Sequence, residues 1–140
     1  MELGDWIGRI LGYEAGTMQP YAGIGFTLDG QPVAAGVVNQ VVHYEHGATG
    51  MGSIASTTPR WANRRTLRAL FAVPFLEVGL TRLMTLCPAD RDDLRAFNNR
   101  LGFTFEGIGR RAHDGVKDAA AFSMLPEECR WLQAKEVRHG

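Results

Sequence analysis

The hydrophobic period of this chain changes sharply at Pro59, and that change dictates what it can fold into. Upstream, Tyr21 to Leu28, Val33 to Tyr44 and Gly50 to Thr57 are β-rich runs, the first two joined across an Asp29-Gly30 turn signal and the third following the glycines of His46-Gly47-Ala48-Thr49-Gly50. They read as an antiparallel meander. Downstream, Leu67, Leu70, Phe71, Phe75 and Val78 share one helical face, which reads as core packing, and the helix is expected to stop near Gly79. Pro74 lies inside that stripe, removes a backbone donor, and predicts a kink or a split.

The remaining elements follow from the same signals. Asp5 to Leu11, with Trp6, Ile7, Ile10 and Leu11 at helical spacing, predicts a short amphipathic helix capped by Asp5 and ended by Gly12. Arg82 to Leu86 reads as a strand and Pro88-Ala89-Asp90 as a turn. Asp92 to Leu101 reads as a helix capped by Asp90 or Asp92 and ended by Gly102. Phe103 to Arg111 and Asp118 to Leu125 alternate as two strands around a His113-Asp114-Gly115 turn; Glu127 to Lys135 predicts a terminal helix, and Val137 to Gly140 are expected to fray.

The chain has 140 residues, 45% of them hydrophobic, which predicts one domain over residues 1 to 140 with a single core. Its 15 basic and 15 acidic side chains cancel, which argues against a protein that coats nucleic acid or an anionic membrane. Cys87 and Cys129 are isolated thiols without CxxC or CxxH spacing, so neither a zinc site nor a disulfide framework is expected. The opening Met1-Glu2-Leu3-Gly4-Asp5 lacks a basic targeting region, and no apolar run approaches the ~20 residues that span a bilayer. A cytoplasmic location is the expectation.

Charge is distributed less evenly than the totals imply. Arg60, Arg64, Arg65 and Arg68 crowd the start of the central helix, inside a stretch from His46 to Leu76 that contains no carboxylate. A helix N-terminus is electropositive and ordinarily carries Asp or Glu, so an arginine cluster there repels itself unless an anion joins it. Two readings follow: a phosphate or pyrophosphate cradle built from backbone N–H groups and guanidinium side chains, or a solvated basic turn.

Downstream, Arg100-Leu101-Gly102-Phe103 leads into Glu106-Gly107-Ile108-Gly109-Arg110, and later into Met124-Leu125-Pro126-Glu127-Glu128. This succession, with the upstream strands and central helix, resembles the GNAT-type (GCN5-related) N-acetyltransferases over roughly Tyr21 to Trp131, in particular short bacterial and phage members. The resemblance implies an α+β sandwich: a mixed, mostly antiparallel sheet with helices on both faces, splayed between Gly50–Thr57 and Arg82–Leu86 to hold acetyl-CoA. It implies that main chain around Ile54, Ala55 and Ser56 pairs with the pantetheine arm. It also implies that the stretch Arg60, Trp61, Ala62, Asn63, Arg64, Arg65 and Thr66 takes the pyrophosphate. The family's glycine-spaced loop is absent here, so arginine side chains would replace some N–H contacts. A coenzyme-contacting Asn of the family falls at Arg91, and its frequent general-acid Tyr falls at Asn98, which cannot donate a titrating proton.

The implied activity is direct transfer of acetyl from acetyl-CoA to a primary amine of a small molecule or peptide; the rival is a catalytically degenerate binding module of the same fold. A base is needed to free the amine. Glu45, beside His43, Tyr44 and His46, is the first candidate with His43 as its partner, against a simple solvated hairpin cluster. His43 and His46 have ligand spacing but no further partner, so no metal is expected. Trp61 would cover the adenine or pack on the helix, and Glu106 would pair with Arg110 four residues on or hold a substrate. Neither nucleic acid nor membrane is expected as a partner, and exposed sheet edges suggest a homodimer.

Overall fold

The computed structural model describes residues 2–12, 16 and 19–136; the predicted fraying of Val137 to Gly140 lies outside them. A six-stranded sheet runs in the order β1-β2-β3-β4-β6-β5. Its strands are β1 (Tyr21–Leu28), β2 (Gln31–His43), β3 (Ala48–Ser56), β4 (Arg82–Pro88), β5 (Thr104–Gly109) and β6 (Ala119–Met124). Every neighbouring pair is antiparallel except β3 and β4, which run parallel through the central helix that connects them. The expected α+β architecture with helices on both faces is present.

On one face, the helix α1 (Leu3–Leu11) buries Ile7 against Ala35, Val37 and Ala55, with Leu3 and Trp6 packed around them. Its cap is Glu2, whose carboxylate accepts from the Gly4 and Asp5 amides at 3.1 and 2.8 Å. Asp5 was expected in that role; it sits in the first turn, where its charge suits the helix dipole.

The other face carries the main core. Here α2 (Arg64–Ala72) places Leu67, Leu70 and Phe71 against the sheet, and α3 (Asp92–Leu101) adds Leu94, Phe97 and Leu101. The strand position below Leu70 is Gly36: a Cβ there would lie 2.3 Å from Leu70 Cδ1, so the missing side chain lets α2 settle onto β2. Pro74 splits the helix as predicted. The α-helix ends at Ala72, and Val73–Val78 continue as a wider π turn in which the absent proline N–H costs no ladder bond. Gly79, with φ 82°, ends the turn.

Several expected boundaries move for identifiable reasons. The first hairpin closes on Asp29 and Gly30 alone, both with positive φ, so β2 begins at Gln31. The start of β3 moves back to Ala48, whose amide donates to the Thr81 hydroxyl at 3.0 Å and whose carbonyl accepts from the Thr81 amide at 2.9 Å. No terminal helix forms over Glu127 to Lys135. Two short 3-10 turns (Pro126–Glu128 and Ala134–Glu136) stand there, secured by burial of Cys129 and Leu132 and by the Trp131 indole N–H donating to the Leu101 carbonyl at 2.8 Å. Glu106 does not pair with Arg110: β5 ends at Gly109, Glu106 itself sits at a register shift between Phe105 and Gly107, and its carboxylate forms a two-pronged bond to Arg82 across the sheet. Neither Asp90 nor Asp92 caps α3; Arg91 occupies that position.

Candidate functional site

The parallel pairing of β3 with β4 lasts for three positions: Thr49 with Arg82, Gly50 with Leu83, and Met51 with Met84. Beyond Met51 the two strands separate, because β3 stays registered on β2 to Ser56 while β4 stays registered on β6 to Pro88. A cleft of about 780 Å³ fills the gap, bounded by Ser53 to Pro59 on one side and Thr85 to Pro88 on the other.

Strand geometry fixes which main-chain groups face this space. The Thr57 amide donates to the Val33 carbonyl at 2.9 Å, making that pair the hydrogen-bonded kind. In an antiparallel ladder such pairs alternate, so Ala55 exchanges its bonds with Ala35 and Ser53 with Val37. Ile54 and Ser56 therefore turn their N–H and C=O groups away from β2, toward a β4 that is no longer there. Two exposed amide units in an extended strand form a ready edge for a linear amide-bearing ligand. Replacing Ser56, whose side chain is exposed, with proline removes one of these donors and no ladder bond; about tenfold weaker affinity for a ligand of that kind, with little change in melting temperature, is expected. Ala55→Pro removes a ladder donor within β3 and is expected to lower the melting temperature clearly. Equal effects of the two changes in calorimetry and melting would refute the assigned alternation.

At the outer end of β3, a 3-10 turn (Pro59–Trp61) leads to the first turn of α2. Its cap is neutral and reciprocal: Asn63 Oδ1 accepts from the Thr66 amide and Thr66 Oγ1 accepts from the Asn63 amide, each at 3.0 Å. This arrangement uses the first and fourth donors of the turn. The amides of Arg64 and Arg65 are the two that the cap leaves for an anion, under side chains that extend into solvent.

Of the residues expected to hold the coenzyme, Ile54, Ala55, Ser56, Trp61, Ala62 and Arg91 line the cleft; Arg60, Asn63, Arg64, Arg65 and Thr66 are not among its lining residues and adjoin Trp61 and Ala62 along the chain. Trp61 is 5% exposed and stacks on Phe26 at 5.3 Å, so its ring is largely packed inward. Arg91 holds Asp93 through two hydrogen bonds of 2.9 and 2.8 Å, and this pairing holds the Asp93 carboxyl at about 2. Asn98 is buried, with its side-chain N–H group 3.8 Å from Cys87 Sγ, and burial pushes the Cys87 thiol up against the opposing charge of Arg95.

Glu45 and His43 are not brought to this cleft. His43 ends β2 and Glu45 stands in the turn that leads to β3, 87% exposed and 3.5 Å from His46. His43 pairs with Ala48, about 17 Å along β3 from the first cleft residue, Ser53. His113 does line the cleft, although its sequence context reads only as a hairpin turn. The usable signal was topological: Ala119 pairs with Pro88, so the β5–β6 hairpin projects at the end of β4 where the cleft opens. Among the described residues no cluster of His, Cys, Asp or Glu has the makings of a metal site, and no helix is long and apolar enough to cross a membrane.

No protein-family model and no curated protein sequence matches the chain. Its fold does recur among solved structures. Mycobacterium smegmatis RimJ in complex with CoA-disulfide superposes with a TM-score of 0.60 at 22% identity over 77% of this chain and 54% of that one. The microcin C7 self-immunity acetyltransferase MccE, in complex with acetyl-CoA and AMP, gives 0.58 at 18% identity over 75% and 61%. A GCN5-related N-acetyltransferase from Brucella melitensis gives 0.54 at 25% identity over 69% and 46%. The chain thus spans about half to three fifths of those proteins, and it has the GNAT fold.

Proposed function

We propose that this chain is an acetyl-CoA-dependent N-acetyltransferase acting by direct attack of a primary amine. One observation carries the reading: the outward-facing main chain of Ile54 and Ser56 borders a cleft whose lining runs through Trp61 and Ala62 to within two residues of the arginine-rich start of α2. An amide-bearing arm ending in a pyrophosphate matches both features. Acetyl-CoA supplies an activated thioester; the protein supplies position. Ile54 and Ser56 hold the arm, while the Arg64 and Arg65 amides and side chains, with Arg60, hold the phosphates. Orienting amine and thioester in one cleft replaces an improbable collision and accounts for much of the expected acceleration.

The amine must arrive without its proton. Among the cleft-lining residues, Asp93 is tied to Arg91 and the Cys87 thiol is raised, whereas His113 is of the one side-chain type that ordinarily exchanges protons near neutrality. We assign it the proton, taken directly or through water. The nitrogen then bonds to the thioester carbonyl carbon, the C–S bond breaks with its electron pair left on sulfur, and the sulfur takes up the proton that nitrogen sheds. His113→Gln is expected to lower kcat/KM for the amine about tenfold with acetyl-CoA affinity unchanged, read from steady-state thiol release. An unchanged kcat/KM would remove His113 from the reaction.

Thiol release from acetyl-CoA across an amine panel tests the activity itself. The degenerate-module reading is favoured by Asn98, which stands where the resemblance places a tyrosine; it predicts coenzyme binding with no amine-dependent release.

A further inference from the structure

We infer that the acceptor is a primary monoamine carried on an apolar body, and that it enters the cleft on the α1 face of the sheet. The inference rests on the acetyltransferase reading above.

The two faces of the cleft differ in kind. Leu83 and Cys87 of β4 belong to the core under α2 and α3, so Met84 and Leu86 point to the opposite face by strand alternation. On β3, Ala55 faces α1 and Ile54 the main core, which puts Met51 with Met84 on the α1 side. The arginine cluster begins α2, which packs on the other face. A coenzyme anchored there by its phosphates leaves the α1 side of the cleft for the acceptor.

That side presents exposed apolar side chains. Ile10 and Leu11 in the last turn of α1 and Leu86 of β4 all line the cleft, at 42%, 37% and 37% exposure. The lining's charged residues, Arg91, Asp93 and Arg100, all come from α3 or its cap, on the far side. The one carboxylate among the described lining residues, Asp93, is already held by Arg91, so a second ammonium group would be desolvated there with no carboxylate left to meet it. An alkyl or aryl group would cover the three side chains and displace water from them. The chemistry selects against polyamines and aminoglycosides and in favour of amines with one cationic centre.

The test is kcat/KM for propylamine, butylamine, hexylamine, 2-phenylethylamine and spermidine, at fixed acetyl-CoA and equal free-base concentration. A rise of about two- to fourfold per added methylene is expected, with spermidine at least about tenfold below hexylamine. Ile10→Glu combined with Leu11→Glu changes exposed positions only; it is expected to flatten the series while the calorimetric Kd for acetyl-CoA stays within about twofold. Short peptides with N-terminal Leu or Asp separate the sources of such an amine. A leucyl peptide exceeding hexylamine assigns the apolar body to a polypeptide N-terminus, and the reverse order assigns it to a free amine. A flat series, a preference for spermidine, or coenzyme binding without acetylation of any of these amines overturns the inference while leaving the coenzyme site standing. Absence of acetyl-CoA binding overturns both.

Discussion

Replacing Arg64 and Arg65 together with alanine is expected to weaken acetyl-CoA binding on the order of 100-fold, with the melting temperature nearly unchanged. The asymmetry follows from the local structure. Both side chains are exposed and project from a helix start whose stability comes from the Asn63–Thr66 cap. That first turn contains no acidic residue, so folding gains nothing from the arginines and removing them relieves repulsion. A doubly charged pyrophosphate gains a great deal: each guanidinium offers charge-assisted hydrogen bonds in the geometry that suits phosphate. High salt should reproduce part of the loss in the wild type and less of it in the variant, because exposed charges are screened. Equal affinities in calorimetry would return the cluster to ordinary surface charge.

Phe71→Ala is expected to cost about 3–5 kcal/mol, a fall of roughly 10–17 °C in melting temperature for a domain of this size. Phe71 is 1% exposed and contacts the rings of Phe75 and Phe103 at centroid distances of 6.4 and 6.0 Å. It is the deepest point at which α2 meets the sheet, and the rigid strands around it cannot collapse into the space its ring would leave. Phe71→Leu keeps most of the volume and should lose less than half as much. A melting shift below about 3 °C for the alanine variant would mean that α2 is held by something other than this packing.

The fold was legible wherever burial imposes a period. The stripe from Leu67 to Phe75 could be read because a helix covering a sheet must repeat its apolar residues every turn, and the strands because β-rich runs alternate between turn signals. What escaped reading was held by single bonds that leave no period. Glu2 caps α1 through two amide bonds, Thr81 fixes where β3 begins, and the segment after Met124 is tied by the Trp131 indole instead of by helical repetition. Glu106 was expected to pair along its own strand, but β5 ends at Gly109, before Arg110, and Glu106 sits at a break in the register with β6.

The site divided along the same line. Cleft position was visible through element order and family resemblance, and the arginine cluster beside it along the chain through charge. Ser56 was named for its main chain, but only the ladder's alternation separates it and Ile54 from Ala55, whose bonds go to β2. Glu45 and His43 looked suitable as a pair because they are adjacent in sequence; three-dimensional adjacency is set by the register of β2 on β3, which carries them to the closed end of the sheet. His113 has the converse history. It is distant in sequence from everything else in the cleft and is brought there by the pairing of β6 between β4 and β5.

The central claim is that the gap between β3 and β4 receives acetyl-CoA. Calorimetric titration of the intact chain with acetyl-CoA tests it most directly, with the Ser56→Pro and Arg64→Ala/Arg65→Ala variants alongside. The account predicts saturable binding of one coenzyme per chain, weakened by both changes. No heat of binding at millimolar acetyl-CoA, or binding that neither variant weakens, would contradict it.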